Sequence, residues 1–184
     1  VGLQRVYTAG RASSLYNRVT ANGFVTDELI LRNAGNVPEL QLSVGGGTID
    51  GTNTILAGLW TSSNKIIYDA DRVILGAETL NDKSYASGLI AYAIIFKALA
   101  MGDLSMFWTQ VPAGVGENVT FISRTEGFTN AIAEIDKALI AVSANPISAS
   151  FLSSIPAGID IVNTLHALKP RYALFAGDYS TALT

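Results

Sequence analysis

The chain has 184 residues, 49% of them hydrophobic and 15% charged, which is enough apolar material for a substantial core and too much for a disordered polymer. A formal net charge of −3 and a pI near 5.0 provide no basic stripe for neutralising phosphates, so nucleic acid is not an expected partner. With no cysteine and a single histidine, His166, disulfides, thiolate metal sites and a cysteine nucleophile are excluded. Any Ser-His-Asp triad or histidine-rich zinc site would rest on one residue, so neither a metal nor a cofactor is expected.

Residues 1–20 carry Leu3, Val6, Tyr7, Leu15 and Val19 on one face, and the spacing predicts a single helix weakened in the middle by Gly10 and Ser13-Ser14. From Asn22 the pattern breaks. Asn33, Gly35, Pro38 and Gly45-Gly46-Gly47 predict a long irregular connection. A triple glycine exposes backbone N–H groups to anions, but no Lys-Ser/Thr pair follows it, so the phosphate-loop motif is incomplete and a mobile loop is expected.

Residues 52–76 form a strong helical pattern with Ile55, Leu59, Ile66, Ala70 and Val73 on one stripe, started by Asp50 or Thr52. Within it, Asp69 and Asp71 lie two positions apart and therefore point about 200° apart. They are expected to flank Arg72 on a wet face rather than share a proton or a metal. Residues 83–108, opened by Asn81-Asp82, make the most apolar stretch, with Leu89, Tyr92, Ile95, Phe96 and Leu99. Lys97 interrupts it and the unbroken run falls short of about 20 residues, so it reads as a central buried helix rather than a membrane span. The helix is expected to loosen at Gly102-Asp103 and to leave through Met106-Phe107-Trp108 toward the glycine-rich loop 113–118.

Ser123 and Glu126 fit a capping box, followed by Phe128, Ile132, Ile135, Leu139 and Val142 at helical spacing up to Asn145-Pro146. Residues 151–158 read as a linker. Residues 163–183 carry Leu165, Leu168, Tyr172 and Phe175, then Gly177-Asp178-Tyr179 and a fresh start at Ser180, the pattern of a helical hairpin with a tetratricopeptide-type turn. Pro170 cannot donate to the carbonyl of His166, which predicts a bend or break there. His166 itself reads as an ordinary helix residue. Five helical patterns and no convincing strand alternation predict one all-α domain of antiparallel helical hairpins over residues 1–184.

Three stretches, in order, resemble the SusD/RagB family of surface lipoproteins that work with TonB-dependent transporters. Leu59-Trp60 through Tyr68, Ala70, Asp71 and Ile74 is similar to that family's Trp-x(n)-Tyr-x-x-Ile-x-x-Ala-Asn-x-x-Ile helix, with Asp71 in place of the usual Asn. Residues 91–108 resemble its Ala-rich helix ending in Leu-x-x-x-Gly-Asp-x-Pro, with Gly102-Asp103 present and Ser105 at about the place of the proline. Ile132, Ile135-Asp136, Ala138-Leu139, Ala167-Leu168, Arg171, Leu174 and Gly177-Asp178-Tyr179 match the family's next helix and Gly-Asp-Tyr hairpin, with Pro170 where the family has Ala.

The resemblance implies a tetratricopeptide-like helical platform that contacts a TonB-dependent transporter. It also implies a bound nutrient such as an oligosaccharide and a place at the outer-membrane surface through a lipid-bearing cysteine upstream of the given chain. The chain opens on Val1-Gly2 and stops inside a new helix, as a piece of a longer family member would. Sugar recognition requires exposed aromatic faces and no covalent chemistry, and Phe107 and Trp108, leaving the buried helix beside a glycine-rich loop, are the candidate ligand residues. A helical scaffold that binds protein and no small molecule is the alternative. An enzyme would need converging carboxylates; Asp27, Glu28, Asp103 and Glu117 are available in predicted loops, and no catalysis is expected from them.

Overall fold

The computed structural model describes residues 2–183, so Val1, the start of the first predicted segment, and Thr184, the end of the predicted domain, lie outside the described residues. It is mostly helical: α1 Gly2–Thr8, α2 Ser14–Val25, α3 Val37–Val44, α4 Thr54–Glu78, α5 Lys83–Phe107, α6 Arg124–Ala144, α7 Ala149–Leu152, α8 Ile161–Ala176 and α9 Tyr179–Ala182. The exception is a two-stranded antiparallel ladder of β1 Gln110–Pro112 and β2 Phe121–Ser123 between α5 and α6.

Helix α5 is the centre of the fold. Apolar residues surround it on every side, and Ala91, Ile94, Ala98, Ala100 and Leu104 are all at most 2% exposed. An all-round apolar helix has to be enclosed, and α4 and α6 make the broadest contacts with it, joined by α8, α1 and α7. Although long and apolar enough to cross a membrane, it is mostly buried within the protein. Paired residues define the directions. Trp60 meets Trp108 and Asp71 meets Lys97, so α4 runs against α5. Lys97 meets Glu134 and Ser84 meets Ser148, so α6 runs against α5. Phe128 meets Tyr172 and Phe175, and Asp136 meets Lys169, so α8 runs against α6.

The lysine in the middle of the apolar helix is the joint of this assembly. Lys97, 9% exposed, places its ammonium 2.7 Å from Asp71 Oδ1 and 3.0 Å from Glu134 Oε2, and Lys137 reaches Glu134 Oε1 at 2.6 Å. Burial raises the Glu134 carboxyl, but its bonds to Lys137 and Lys97 outweigh this and hold it below its ordinary value. Asp71 and Asp69 remain about equally exposed, at 36% and 33% of their side chains, and each takes its own partner, Lys97 of α5 and Lys65 of α4.

The elements start and stop where backbone chemistry demands. The first predicted helix is two helices, because Gly10 takes φ +78° and the Ser13 side chain accepts from Tyr16 N to begin α2. The predicted irregular connection contains the end of α2, all of α3 and a 3₁₀ turn at Gly46–Thr48, built on the triple glycine. Neither Asp50 nor Thr52 caps α4. Asn53 does, its Oδ1 accepting from Ile55 N and Leu56 N while its Nδ2 donates to Pro38 O and Gln41 Oε1. The Ser123–Glu126 capping box is present as predicted. The predicted linker begins inside α7, whose Phe151, 1% exposed, packs edge-on against Tyr85.

Neither expected interruption breaks its helix. Helix α5 does not loosen at Gly102-Asp103 but continues to Phe107, since Ser105, unlike proline, keeps the N–H that the helical ladder uses. Helix α8 runs through Pro170 without breaking. Its end is as predicted: Gly177 takes φ +80°, Gly177 N donates to Leu174 O and Asp178 N to Ala173 O, a Schellman motif. Asp178 then caps α9 by accepting from Thr181 N and Ser180 Oγ, and hydrogen bonding from the Thr181 side chain, then from Ser180 and the Thr181 backbone, holds its carboxyl down at about 2.

Gly102 sits where α5 meets α8, and a Cβ there would lie 2.5 Å from the ring of fully buried Tyr172. Gly102→Ala should therefore destabilise by about 1–3 kcal/mol through overpacking. Gly76→Ala, on an open face of α4 with nothing within 4 Å, should be stabilising by about 0.5–1 kcal/mol. Urea unfolding midpoints of the two variants check the contrast.

Candidate functional site

Phe107 and Trp108, adjacent in sequence, face different surroundings. Trp108 is the C-cap of α5, in extended conformation at φ −121° and ψ 145°, and this turn out of the helix leaves its ring half-buried at the edge of the core. There it meets Trp60 of α4 edge-on, with centroids 5.0 Å apart at 69°. Trp60 in turn stacks against Phe121 at 6.3 Å and 16°. The three rings with Thr109 and Gln110 line an open cleft of about 340 Å³.

The ladder between β1 and β2 decides which residues reach this cleft. Gln110 pairs with Ser123, Val111 with Ile122 and Pro112 with Phe121. Side chains alternate faces along a strand, so Val111, 3% exposed, and half-buried Ile122 turn to the core, while Gln110 and Phe121 turn outward. Phe121 is 56% exposed. Two flanking bonds extend the hairpin, Ala113 N to Thr120 O at 2.9 Å and Arg124 N to Thr109 O at 3.0 Å. The capping box of α6 follows immediately and anchors β2. Aromatic faces beside an amide and a hydroxyl suit ligands with an apolar face and a polar edge.

Trp60 lies in the first of the family-like stretches but reads from periodicity alone as a helix residue. Phe121 and Gln110 were not legible as site residues at all, because two three-residue strands are too short to register as alternation. The short runs Gln110-Val111-Pro112 and Phe121-Ile122-Ser123 were the available signal. Phe107, in contrast, packs against the small cluster of Ala21, Phe24, Leu42 and Ile55 and lines a different cleft.

The carboxylates considered for catalysis do not converge. Asp27, at φ +59°, and Glu28 lie in the turn after α2, and Glu117 in the loop between the strands. Asp103 is on a helix rather than in a loop and is 1% exposed. Its Oδ2 accepts from the Tyr7 hydroxyl at 3.0 Å, and Arg18 Nε lies 3.3 Å from its Oδ1. These bonds clip α1 and α2 to α5. Burial is the largest influence on Asp103; Arg18 and Tyr7 offset part of it, leaving the carboxyl raised from its ordinary 3.8 to about 6. Burial likewise pushes the Tyr7 and Tyr172 hydroxyls up. Among the described residues no cluster of His, Asp and Glu is arranged to hold a metal ion. His166 is exposed on α8.

No protein-family model matches the chain, and neither the curated proteins nor the solved structures include one significantly similar to it.

The raised Asp103 carboxyl has a defined sign in stability. Between about 4 and about 6 the unfolded chain has released this proton while the folded chain retains it, so folding loses stability as pH rises through that window. Relative to Asp103→Asn, the wild-type protein should be more stable at pH 4 than at pH 7. Paired urea titrations across this range measure the difference, and an unchanged gap would show that Asp103 does not titrate there.

Proposed function

We propose that this protein is a nutrient-binding surface protein of the SusD/RagB kind, capturing an oligosaccharide or similar nutrient and passing it to a TonB-dependent outer-membrane transporter. In this reading α4, α5, α6 and α8 form the tetratricopeptide-like platform, and a lipid anchor upstream of the given chain holds it at the cell surface. The ordered set of sequence stretches supports the family, and the consecutive antiparallel helices are compatible with it. The observation that carries ligand capture is the open aromatic cleft of Trp60, Trp108 and Phe121, with Gln110 and Thr109 at its edge.

In that cleft the three rings have separate duties. Trp108 is half-buried and closes the end of the core, whereas Phe121 presents an open face. A sugar ring stacking on such a face uses its C–H groups, leaving its hydroxyls for Gln110 and Thr109; no bond is made or broken.

The scaffold alternative draws on a different feature, the exposed side chains around the Gly177-Asp178 turn. Leu174, Phe175 and Tyr179 are 55%, 48% and 65% exposed, an apolar ridge of the type that receives a partner helix.

The test is calorimetric titration of the protein with a panel of oligosaccharides. Phe121→Ala should weaken binding at least tenfold and leave the melting temperature nearly unchanged. Trp108→Ala should lower the melting temperature by several degrees. A Phe121→Ala variant that binds as well as the wild type would remove the cleft from ligand recognition, and the absence of any glycan binding would favour the scaffold reading.

A further inference from the structure

On the other side of the α5 exit, a larger cleft of about 930 Å³ lies among α2, the 28–29 turn and the ends of α5, α6 and α8. Its volume falls within the ~300–1,000 Å³ typical of small-molecule sites. Leu15, Val19, Leu29, Leu56 and Phe107 supply apolar wall, and Phe175 closes one side. Three guanidinium groups line it from three helices: Arg18 of α2, Arg124 of α6 and Arg171 of α8. Glu28 is the one carboxylate among the lining residues. In a chain whose net charge is −3, this concentration of positive charge is local to the cleft.

Each arginine is held to the wall by a separate contact. Arg18 is tied to Asp103 and bonds the Tyr7 hydroxyl. Arg124 Nη2 donates to Met106 O at 3.4 Å, and Arg171 lies over the Phe175 ring at 6.0 Å. The charge of Arg18 is answered by Asp103 behind it, but neither Arg124 nor Arg171 forms an ion pair with a described residue. Two guanidiniums without an ion-pair partner on an apolar cleft complement an anion attached to a hydrocarbon body, since each guanidinium presents a planar fork that matches a carboxylate.

We propose that this cleft is a binding site for a small amphiphilic carboxylate, with the hydrocarbon against Val19, Leu29 and Phe107 and the carboxylate between Arg124 and Arg171. It is separate from the aromatic cleft and does not depend on the glycan-binding reading.

The experiment is titration of the 184-residue protein with octanoate, with 1-octanol and acetate as the body without the charge and the charge without the body. Octanoate should bind saturably at one site and at least tenfold more tightly than either control, and should weaken as salt is added. Arg124→Gln and Arg171→Gln, both exposed, should each reduce octanoate affinity at least fivefold with unchanged melting temperature. Val19→Asp, 55% exposed on α2, should abolish binding while the protein stays folded. Equal affinity for octanol, equal affinity for acetate, or wild-type binding by both arginine variants would overturn the proposal. So would sedimentation with phosphatidylglycerol vesicles without octanoate binding, which would assign the surface to a membrane instead.

Discussion

Everything in this fold follows from the need to keep helix α5 out of water. A helix of 25 residues with apolar side chains on all faces has no side to leave exposed, so neighbours must cover it around its circumference. Helices α4 and α6 run against it on two sides, with α1, α7 and α8 filling the remainder. Its two charged residues within the apolar run then become fixed points. A buried ammonium or carboxylate without a partner costs several kcal/mol, so Lys97 requires Asp71 and Glu134, and Asp103 requires Tyr7 and Arg18. One pair of partners joins α4 to α6 through α5; the other ties down the two N-terminal helices.

The same enclosure explains where open surface appears. Toward its C-terminus α5 emerges from its neighbours, and the chain turns at Trp108 into a small hairpin that has only one buried face. Val111 and Ile122 are spent on the core, which leaves Phe121 and Gln110 on the outside next to Trp60. Phe107, one residue before Trp108 and still helical, points toward α2 and α3 and lines the arginine-bearing cleft. Adjacent residues at a helix end thus serve two surfaces with opposite chemistry, one an uncharged aromatic face and the other apolar with excess positive charge.

Close approach is the second constraint. Gly102 brings α5 against Tyr172 of α8, Gly88 brings it against Phe151, and Gly127 brings α6 against Ser105. Ser105 Oγ is buried at that crossing without a hydrogen-bond partner among the described residues. The family-like Gly-Asp pair at 102–103 accordingly has two structural duties here, contact with α8 through the glycine and attachment of α1 and α2 through the aspartate.

By itself the sequence determined the elements whose signals are local. The periodicities of α4, α5, α6 and α8, the capping box at Ser123–Glu126 and the Gly177 helix stop depend on residues three or four apart, and these elements formed at or near the predicted positions. The buried character of α5 was legible as well, because its apolar residues leave no polar face. Tertiary structure alone decided the rest. Asp103 reads as wet because a carboxylate is usually solvated, and it is buried only because Tyr7 and Arg18 arrive from other helices; Asp71 stays partly exposed, and its pairing with Lys97 likewise depends on a second helix. The β-hairpin is too short to announce itself and forms because β1 and β2 are brought together at the junction of α5 and α6. The aromatic cleft needs Trp60, Trp108 and Phe121 from three elements up to 61 positions apart, a convergence that no local pattern encodes and that packing around α5 produces.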